Sequence, residues 1–342
     1  MTRSSIKYLV GVDMGGTKIL ASVIDDQGQI LSRSKTATKT DQAPEHIIDR
    51  IADRVQSAMR KAKVEKNQVE AIGIGAPGPL DPHTGVVIFA PNLNWKNVHL
   101  KKELEQRTGI PTFLDNDVNV GTLGECAFGA GRGKKSVVGI FIGTGIGGGI
   151  VIDDQVFYGA SLTAGEIGHI ILKVGGPKCG CGNRGCFEAL ASRTAITKQL
   201  QKRILKKKQK SILPKLNGGQ METIKSGAIA RAFRKGDRPT IKAIKKAAEY
   251  IGIGIASTVN FLNPETVILG GGLIEALGED LVDRIRYFAE DYAMEHAMSG
   301  VEITSAQLGD NAGILGAAVL ARQRLDQSHD QWRHADGIDT LI

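Results

Sequence analysis

The sequence predicts an α/β protein made of two related domains, and three observations carry that prediction. At 342 residues the chain is long enough for two domains that each bury a core. Short apolar runs of strand length alternate with longer stretches of helical spacing. The pattern near the N-terminus also returns 128 residues later without a gap. Val10-Gly11, Gly15 and Val23-Ile24-Asp25-Asp26-Gln27 reappear as Val138-Gly139, Gly143 and Val151-Ile152-Asp153-Asp154-Gln155. A repeat of that period lies well above the solenoid range and points to duplicated domains.

Composition narrows the class. The 43 glycines are spread through apolar runs, which excludes a collagen-like or low-complexity chain. Met1 to Lys7 leads into a short apolar run, Tyr8 to Val12, too short for a signal peptide, and no stretch approaches membrane-spanning length. Four cysteines, most of them in a metal-like pattern, fit a reducing, cytoplasmic compartment. The net charge of +8 raises the question of nucleic acid. Much of the excess sits at Lys198, Lys202, Arg203, Lys206, Lys207, Lys208, Lys210 and Lys215. That run has no interleaved aromatics and suits a solvated helix ending near Pro214, although it would also attract an acidic partner.

Taken in order, residues 6–13 read as a buried strand ending at Asp13, Gly15-Gly16-Thr17-Lys18 as a turn, and Ile19 to Ile24 as the returning strand. Ile30 to Ala37 alternates as a third strand, Glu45 to Ala62 has helical spacing, and Val69 to Ile74 is a further strand. Gly75-Ala76-Pro77-Gly78 follows as a sharp loop at that strand's C-terminal end, where ligands sit in open α/β sheets. Pro111 to Leu114 is a short strand that delivers Asp115-Asn116-Asp117-Val118-Asn119, and a helix follows from Val120 to Phe128 with Cys126 in its core. Asn-Asp-x-Asn at such a junction also has the form of an N-cap. The second glycine loop, Gly143-Thr144-Gly145, lies between strands. It contains a G-x-G-x-x-G match, but strand and turn follow where a dinucleotide site requires a helix. Gly73 to Gly78 is spoiled as a helix entry by Pro77 and Pro79, and the near-Walker segment at Gly133-Lys134 has Phe128 in place of glycine. Helices are expected from Ala189 to the early 200s, over Met221 to Lys235 and over Thr240 to Phe261. Asn263 to Gly272 reads as a turn, a buried strand and a glycine exit at Gly270, Gly271 and Gly272. Leu308 to Gly313 opens a last helix, Ile314 to Arg324, capped by Asp310 or Asn311, and 325–342 is polar and peripheral.

The most chemically specific stretch is Gly165 to Glu188. Cys179, Cys181 and Cys186 with His169 make a complete tetrahedral zinc set with no position left open, hence a structural site. Glycines between them let so short a loop fold back round one ion. Three buried cysteines in a glycine-rich loop would be the alternative. A structural zinc here would hold its polar neighbours Glu166, His169 and Glu188 in place.

Glu166-x-Gly168-His169 followed by Cys179-x-Cys181-Gly182-x-x-Gly185-Cys186-x-Glu188 resembles the signature of the ROK family (repressor, open reading frame, kinase), in the form carried by its bacterial glucokinases. The resemblance covers Asp13 to Ala318 and implies the duplicated actin-like (ribonuclease H-like) sugar kinase fold. Its two domains would be 1–117 with 312–342, and 118–311, around a cleft. It implies that Asp117 is the catalytic base and that Asn116, Glu166, His169 and Glu188 hold sugar hydroxyls, with Asn92 in the sugar-cleft loop Ala90 to Trp95. Asp13-x-Gly15-Gly16-Thr17-Lys18 resembles a first phosphate loop, with Asp13 holding Mg²⁺ through water. Gly143-Thr144-Gly145 would be the second, and Gly270, Gly271 and Gly272 would lie against adenosine, although close packing alone would also ask for glycine. The implied reaction is ATP-dependent phosphorylation of a hexose at its 6-hydroxyl, glucose first, by a cytoplasmic homodimer that binds neither nucleic acid nor membrane. The same polar set would serve N-acetylmannosamine, N-acetylglucosamine or fructose. A sugar-responsive repressor, the family's other branch, would need a helix-turn-helix ahead of the first strand, where about seven residues stand.

Overall fold

The computed structural model describes residues 7–336. The chain divides into two compact units, Met1–Gly133 with Asp154–Thr163 and Asp310–Ile342, and Lys134–Asp153 with Ala164–Gly309.

The first unit is built on a sheet of β1 (Tyr8–Met14), β2 (Lys18–Ile24), β3 (Ser34–Ala37), β4 (Val69–Ala76) and β8 (Thr112–Asn116), in the order β3-β2-β1-β4-β8. β1 pairs antiparallel with β2 and parallel with β4, and β4 pairs parallel with β8. A second, three-stranded sheet holds β5 (Leu80–Asp81), β6 (Val86–Ala90) and β7 (Trp95–Val98). Helix α1 (Pro44–Ala62) buries Ile47, Ile48, Ile51, Val55 and Met59 at helical spacing, as its sequence required. The other helices are α2 (Leu100–Thr108), α3 (Asp117–Phe128) and α12 (Ala312–Asp336), and the short strand β11 (Gln155–Val156) also belongs to this unit. α12 lies directly on the backbones of β1, β4 and α3. A Cβ at Gly73 would collide with the Ala317 carbonyl, and one at Gly316 with the Val120 carbonyl. Glycine at these crossings is therefore a packing requirement.

The second unit repeats the plan. β9 (Ser136–Ile142) pairs antiparallel with β10 (Ile146–Ile152) and parallel with β12 (Thr266–Gly270), which pairs parallel with β13 (Glu302–Ser305). β1 and β9 even share one burial pattern along their lengths. One difference hides inside the gap-free repeat. Met14 faces Ile19 across the first turn, whereas Ile142 faces Ile146 across the second, so the second loop is one residue tighter. The helices are α4 (Phe187–Ala191), α5 (Arg193–Gln201), α6 (Leu213–Leu216), α7 (Ser226–Arg234), α8 (Arg238–Leu262), α9 (Gly272–Leu277), α10 (Glu279–Tyr292) and α11 (Glu295–Met298). They cover the sheet with one continuous apolar core.

Several expected boundaries move. α3 begins at Asp117 rather than Val120, because the Asn116 side chain caps it. It packs on α12, so 118–133 falls in the first unit rather than beyond a boundary at 117. The lysine-rich helix does not run to Pro214. α5 passes into a π-helical turn, Lys202–Lys206, and Pro214 instead sits in the first turn of α6. The helix expected over Met221 to Lys235 is confined to Ser226–Arg234. The last helix continues past Arg324, and the polar residues 337–342 lie outside the described residues. Asp310 and Asn311, the expected caps, bond elsewhere: Lys18 Nζ donates to Asp310 (2.6 Å) and Arg33 to Asn311 (2.9 Å).

Candidate functional site

In the first unit the parallel strands β1, β4 and β8 end together. Asp13 is in register with Gly75, and Gly75 with Asp115, so one row of the sheet's C-terminal edge reads Asp-Gly-Asp. Such edges are where open α/β sheets bind ligands. Asp115 is 1% exposed. Its carboxylate accepts from the Asn116 N–H (2.6 Å), the Asn119 amide (3.0 Å) and the Tyr158 hydroxyl (2.5 Å). Asn116 then turns the chain into α3. Its Oδ1 accepts from the Val118 N–H at 2.9 Å, and its amide donates to the Gly78 carbonyl at 3.3 Å, tying the Gly75–Gly78 loop to the junction.

Asp117 is the first residue of α3, so the cap is Asn116. Asp117 takes only a second share of the Val118 N–H, at 3.0 Å. Burial and the Asp13 carboxylate push its pKa up to about 7. Burial also raises Asp13, with Lys18 opposing. The Asp13 side chain lies against Gly313 in the first turn of α12, where a helix start favours negative charge. In the loop before β2, Gly16 and Thr17 are exposed and Gly15 N–H bonds the Lys18 carbonyl (3.0 Å). Asn92, in the short turn Pro91–Leu93, comes beside this loop: a Cβ at Gly16 would stand 3.7 Å from that of Asn92. Asp13, Gly15, Gly16, Asn92, Asn116 and Asp117 thus come from three segments of one unit.

The second unit carries the other residues. The ligand atoms of His169, Cys179, Cys181 and Cys186 all lie within 4.8 Å of one another. Two edges of the set, His169 Nδ1 to Cys179 Sγ and Cys181 Sγ to Cys186 Sγ, both measure 3.7 Å. Four donors at roughly 2.0–2.3 Å from a tetrahedral centre would stand about 3.3–3.8 Å apart, so these two edges suit a metal ion and the set could hold one. The loop closes through Cys179 N–H to the Asn183 carbonyl (2.8 Å). Gly185, at φ 80°, fits where a side chain would strike the Lys173 carbonyl. The imidazole faces two ways: Nδ1 toward the thiols, and Nε2 toward Glu166, 3.8 Å away. After Cys186 the fully buried Phe187 pins the loop into the core. Its neighbour Glu188 accepts from the Ile146 N–H at 3.1 Å and reaches Cys179 at 3.8 Å. A side chain at Gly145 would collide with Glu188. The metal-type loop and the second glycine loop are therefore one assembly.

That glycine loop is also held by the start of α5. Arg193 donates to the Thr144 hydroxyl (2.6 Å) and Thr194 to the Thr144 carbonyl (2.7 Å). Gly271, at φ 88°, presses on the Ile142 backbone, which gives it a packing reason of its own, whereas Gly272 is exposed. Beside Gly272 lies Ser226, whose buried hydroxyl is one of few without a partner among the described residues. Sequence reading missed Arg193 and Tyr158, whose partners Thr144 and Asp115 lie far along the chain, so no local pattern announces them.

Two units of like topology, each with a glycine loop inside its hairpin and polar residues at its strand ends, define an actin-like kinase fold. The chain matches the ROK family over residues 9–324 and belongs to it. A glucokinase from Thermotoga maritima is 37% identical over 318 residues, covering 93% of this chain and 98% of that protein. A crystal structure of a ROK family glucokinase from Streptomyces griseus, in complex with glucose and AMPPNP, superposes with a TM-score of 0.81. It is 38% identical and covers 92% of this chain and 99% of that one. A xylose repressor from Caldicellulosiruptor bescii is 30% identical, covering 91% of this chain and 77% of that protein.

The position of Asp117 has a consequence for stability. Its folded pKa, about 7, lies above the ordinary carboxylate value of 3.8, so the group favours folding below pH 3.8 and loses that contribution as pH rises through 7. Asp117→Asn keeps the shape and has nothing to ionise. The variant's melting temperature relative to wild type should therefore rise between pH 5 and pH 8. A relative melting temperature that falls, or does not change, would show that Asp117 ionises without cost.

Proposed function

We propose that the protein is an ATP-dependent hexose kinase that converts glucose to glucose 6-phosphate. The observation that carries this reading is Asp117, a carboxylate at a strand-to-helix junction, relieved of capping by Asn116 and poised to take a proton near neutral pH. Family membership and the two glucokinase relatives support it.

In this reading Asp117 accepts the proton of the sugar's 6-hydroxyl as that oxygen attacks the terminal phosphate of ATP. Asn116, Asn92, Glu166, His169 and Glu188 hold the other hydroxyls and fix the direction of attack. Backbone N–H groups at Gly15-Gly16-Thr17-Lys18 and at Gly143-Thr144-Gly145 face phosphate oxygens, and Gly270, Gly271 and Gly272 lie along the adenosine. Asp13 would hold the Mg²⁺ that accompanies ATP, which supplies neutralisation of phosphate charge. A zinc ion would be held by His169 Nδ1, Cys179, Cys181 and Cys186. With every ligand position filled, it supplies stability rather than chemistry. His169 would then give Nδ1 to the metal and leave Nε2 for Glu166 and the sugar, so one ring serves both groups. The enzyme would act in the cytoplasm as a homodimer without nucleic acid and feed glycolysis. The domain limits that suit this reading keep the base and the first phosphate loop in one unit.

Two measurements test it. Coupled detection of ADP over a panel of hexoses should give glucose a higher kcat/KM than N-acetylmannosamine, N-acetylglucosamine, mannose or fructose. A site built for a hydroxyl can reject an analogue lacking it on the order of 10⁴-fold. A better competitor would reassign the sugar, and no turnover of any would end the kinase reading. Metal analysis should find about one zinc per chain. Cys181→Ser should lose the metal, part of the thermal stability and the activity together, since metal binding to a closed site is folding energy. A metal-free protein with full activity would exclude the zinc.

A further inference from the structure

Residues 154–163 make an excursion between β10 and the segment that leads to Glu166, and they belong to the first unit. One face of α12 receives them. Gln323 donates to the Asp154 carbonyl (2.7 Å), Arg324 to the Tyr158 hydroxyl (3.0 Å), and Gln327 to the side chain of Gln155 (3.2 Å). Two of these contacts fasten only the excursion. The middle one continues inward. The Arg324 guanidinium sits 5.6 Å from the centre of the Tyr158 ring, and the phenol spends its proton on Asp115. Asp115 is the fully buried carboxylate two residues before Asp117.

A carboxylate in such a place must be neutralised by donors or it distorts whatever holds it. Asp115 has three donors. Its Oδ1 takes the Asn116 N–H and the Asn119 amide, both part of the turn into α3, and among the described residues its Oδ2 is held by the phenol alone. With the phenol in place, the carboxylate plane is fixed, and with it the Asn116 backbone from which Asp117 departs.

We infer that Tyr158 and Arg324 are positioning residues of the kinase: through the buried Asp115 carboxylate they set the orientation of Asn116 and Asp117. The inference rests on the reading of Asp117 as the base. Both side chains act through Asp115, which gives the excursion a second purpose besides connecting strands.

The test compares Tyr158→Phe, Arg324→Gln, their double variant and Gln323→Ala in the full chain. Tyr158→Phe should lower kcat by about ten- to a hundredfold, the scale of a small misplacement of a reacting group, while KM for ATP stays within about twofold. Arg324→Gln should lower kcat less. The double variant should match Tyr158→Phe alone, because Arg324 acts through the phenol. Gln323→Ala, which loosens the excursion without reaching Asp115, should keep wild-type kcat. Hydrogen exchange over 113–120 should speed up in Tyr158→Phe and Arg324→Gln but not in Gln323→Ala. That readout needs no sugar, so it separates failure of this inference from failure of the kinase reading. Equal kcat losses in Tyr158→Phe and Gln323→Ala, multiplying losses in the double variant, or unchanged exchange over 113–120 would each overturn it. If Tyr158→Phe fails to fold, Arg324→Gln against Gln323→Ala decides.

Discussion

Three carboxylates gathered where the strands of one sheet end are the constraint on which the rest of this site depends. Asp13 and Asp115 terminate β1 and β8 in one row, and Asp117 opens the helix that follows. Their charges cannot all be treated alike in so small a space. Asp115 is satisfied by three donors and buried. Asp13 lies at a helix start, where burial raises its pKa and Lys18 opposes that rise. Asp117 shares the Val118 N–H, and burial with the repulsion of Asp13 pushes its pKa up to about 7. Separating like groups by their partners is how one fold could give neighbouring carboxylates different tasks.

The second unit solves a different problem with the same topology. Its hairpin turn is tighter, and its glycine loop is braced by Arg193 and Thr194 on one side and by Glu188 on the other. Glu188 in turn is placed by Phe187, driven into the core, and by the folded cysteine loop just before it. A metal in the His169–Cys186 set would therefore stiffen the glycine loop as well as the carboxylates beside it. The motif that looks most like a separate module is mechanically joined to the second glycine loop.

Much of this was legible in the sequence where chemistry is local. The hairpins followed from apolar runs around glycine turns, the four metal-type ligands from their spacing, and the Asp115–Asn119 junction from a strand meeting a helix. What escaped was decided at a distance. Asn116 rather than Asp117 caps α3, a choice set by backbone geometry that either residue type permits. The β5-β6-β7 sheet exposes Ile88 and Phe89, so its strands lack the alternation that would have announced them. α5 gives way to a π-turn among lysines whose composition would equally suit a straight helix. Tyr158 and Arg324 reach Asp115 across long stretches of chain, and nothing near them in sequence marks their role.

The central claim is that Asp117 takes the proton, and replacing its carboxylate by an amide tests it most directly. Asn retains the Val118 contact and the helix start, so Asp117→Asn should bind glucose by calorimetry within a few-fold of wild type. Its kcat in a coupled assay should fall by at least about a hundredfold, the usual share of a general base. A variant that binds glucose and turns it over at nearly the wild-type rate would contradict the account and leave Asp117 as part of a helix start.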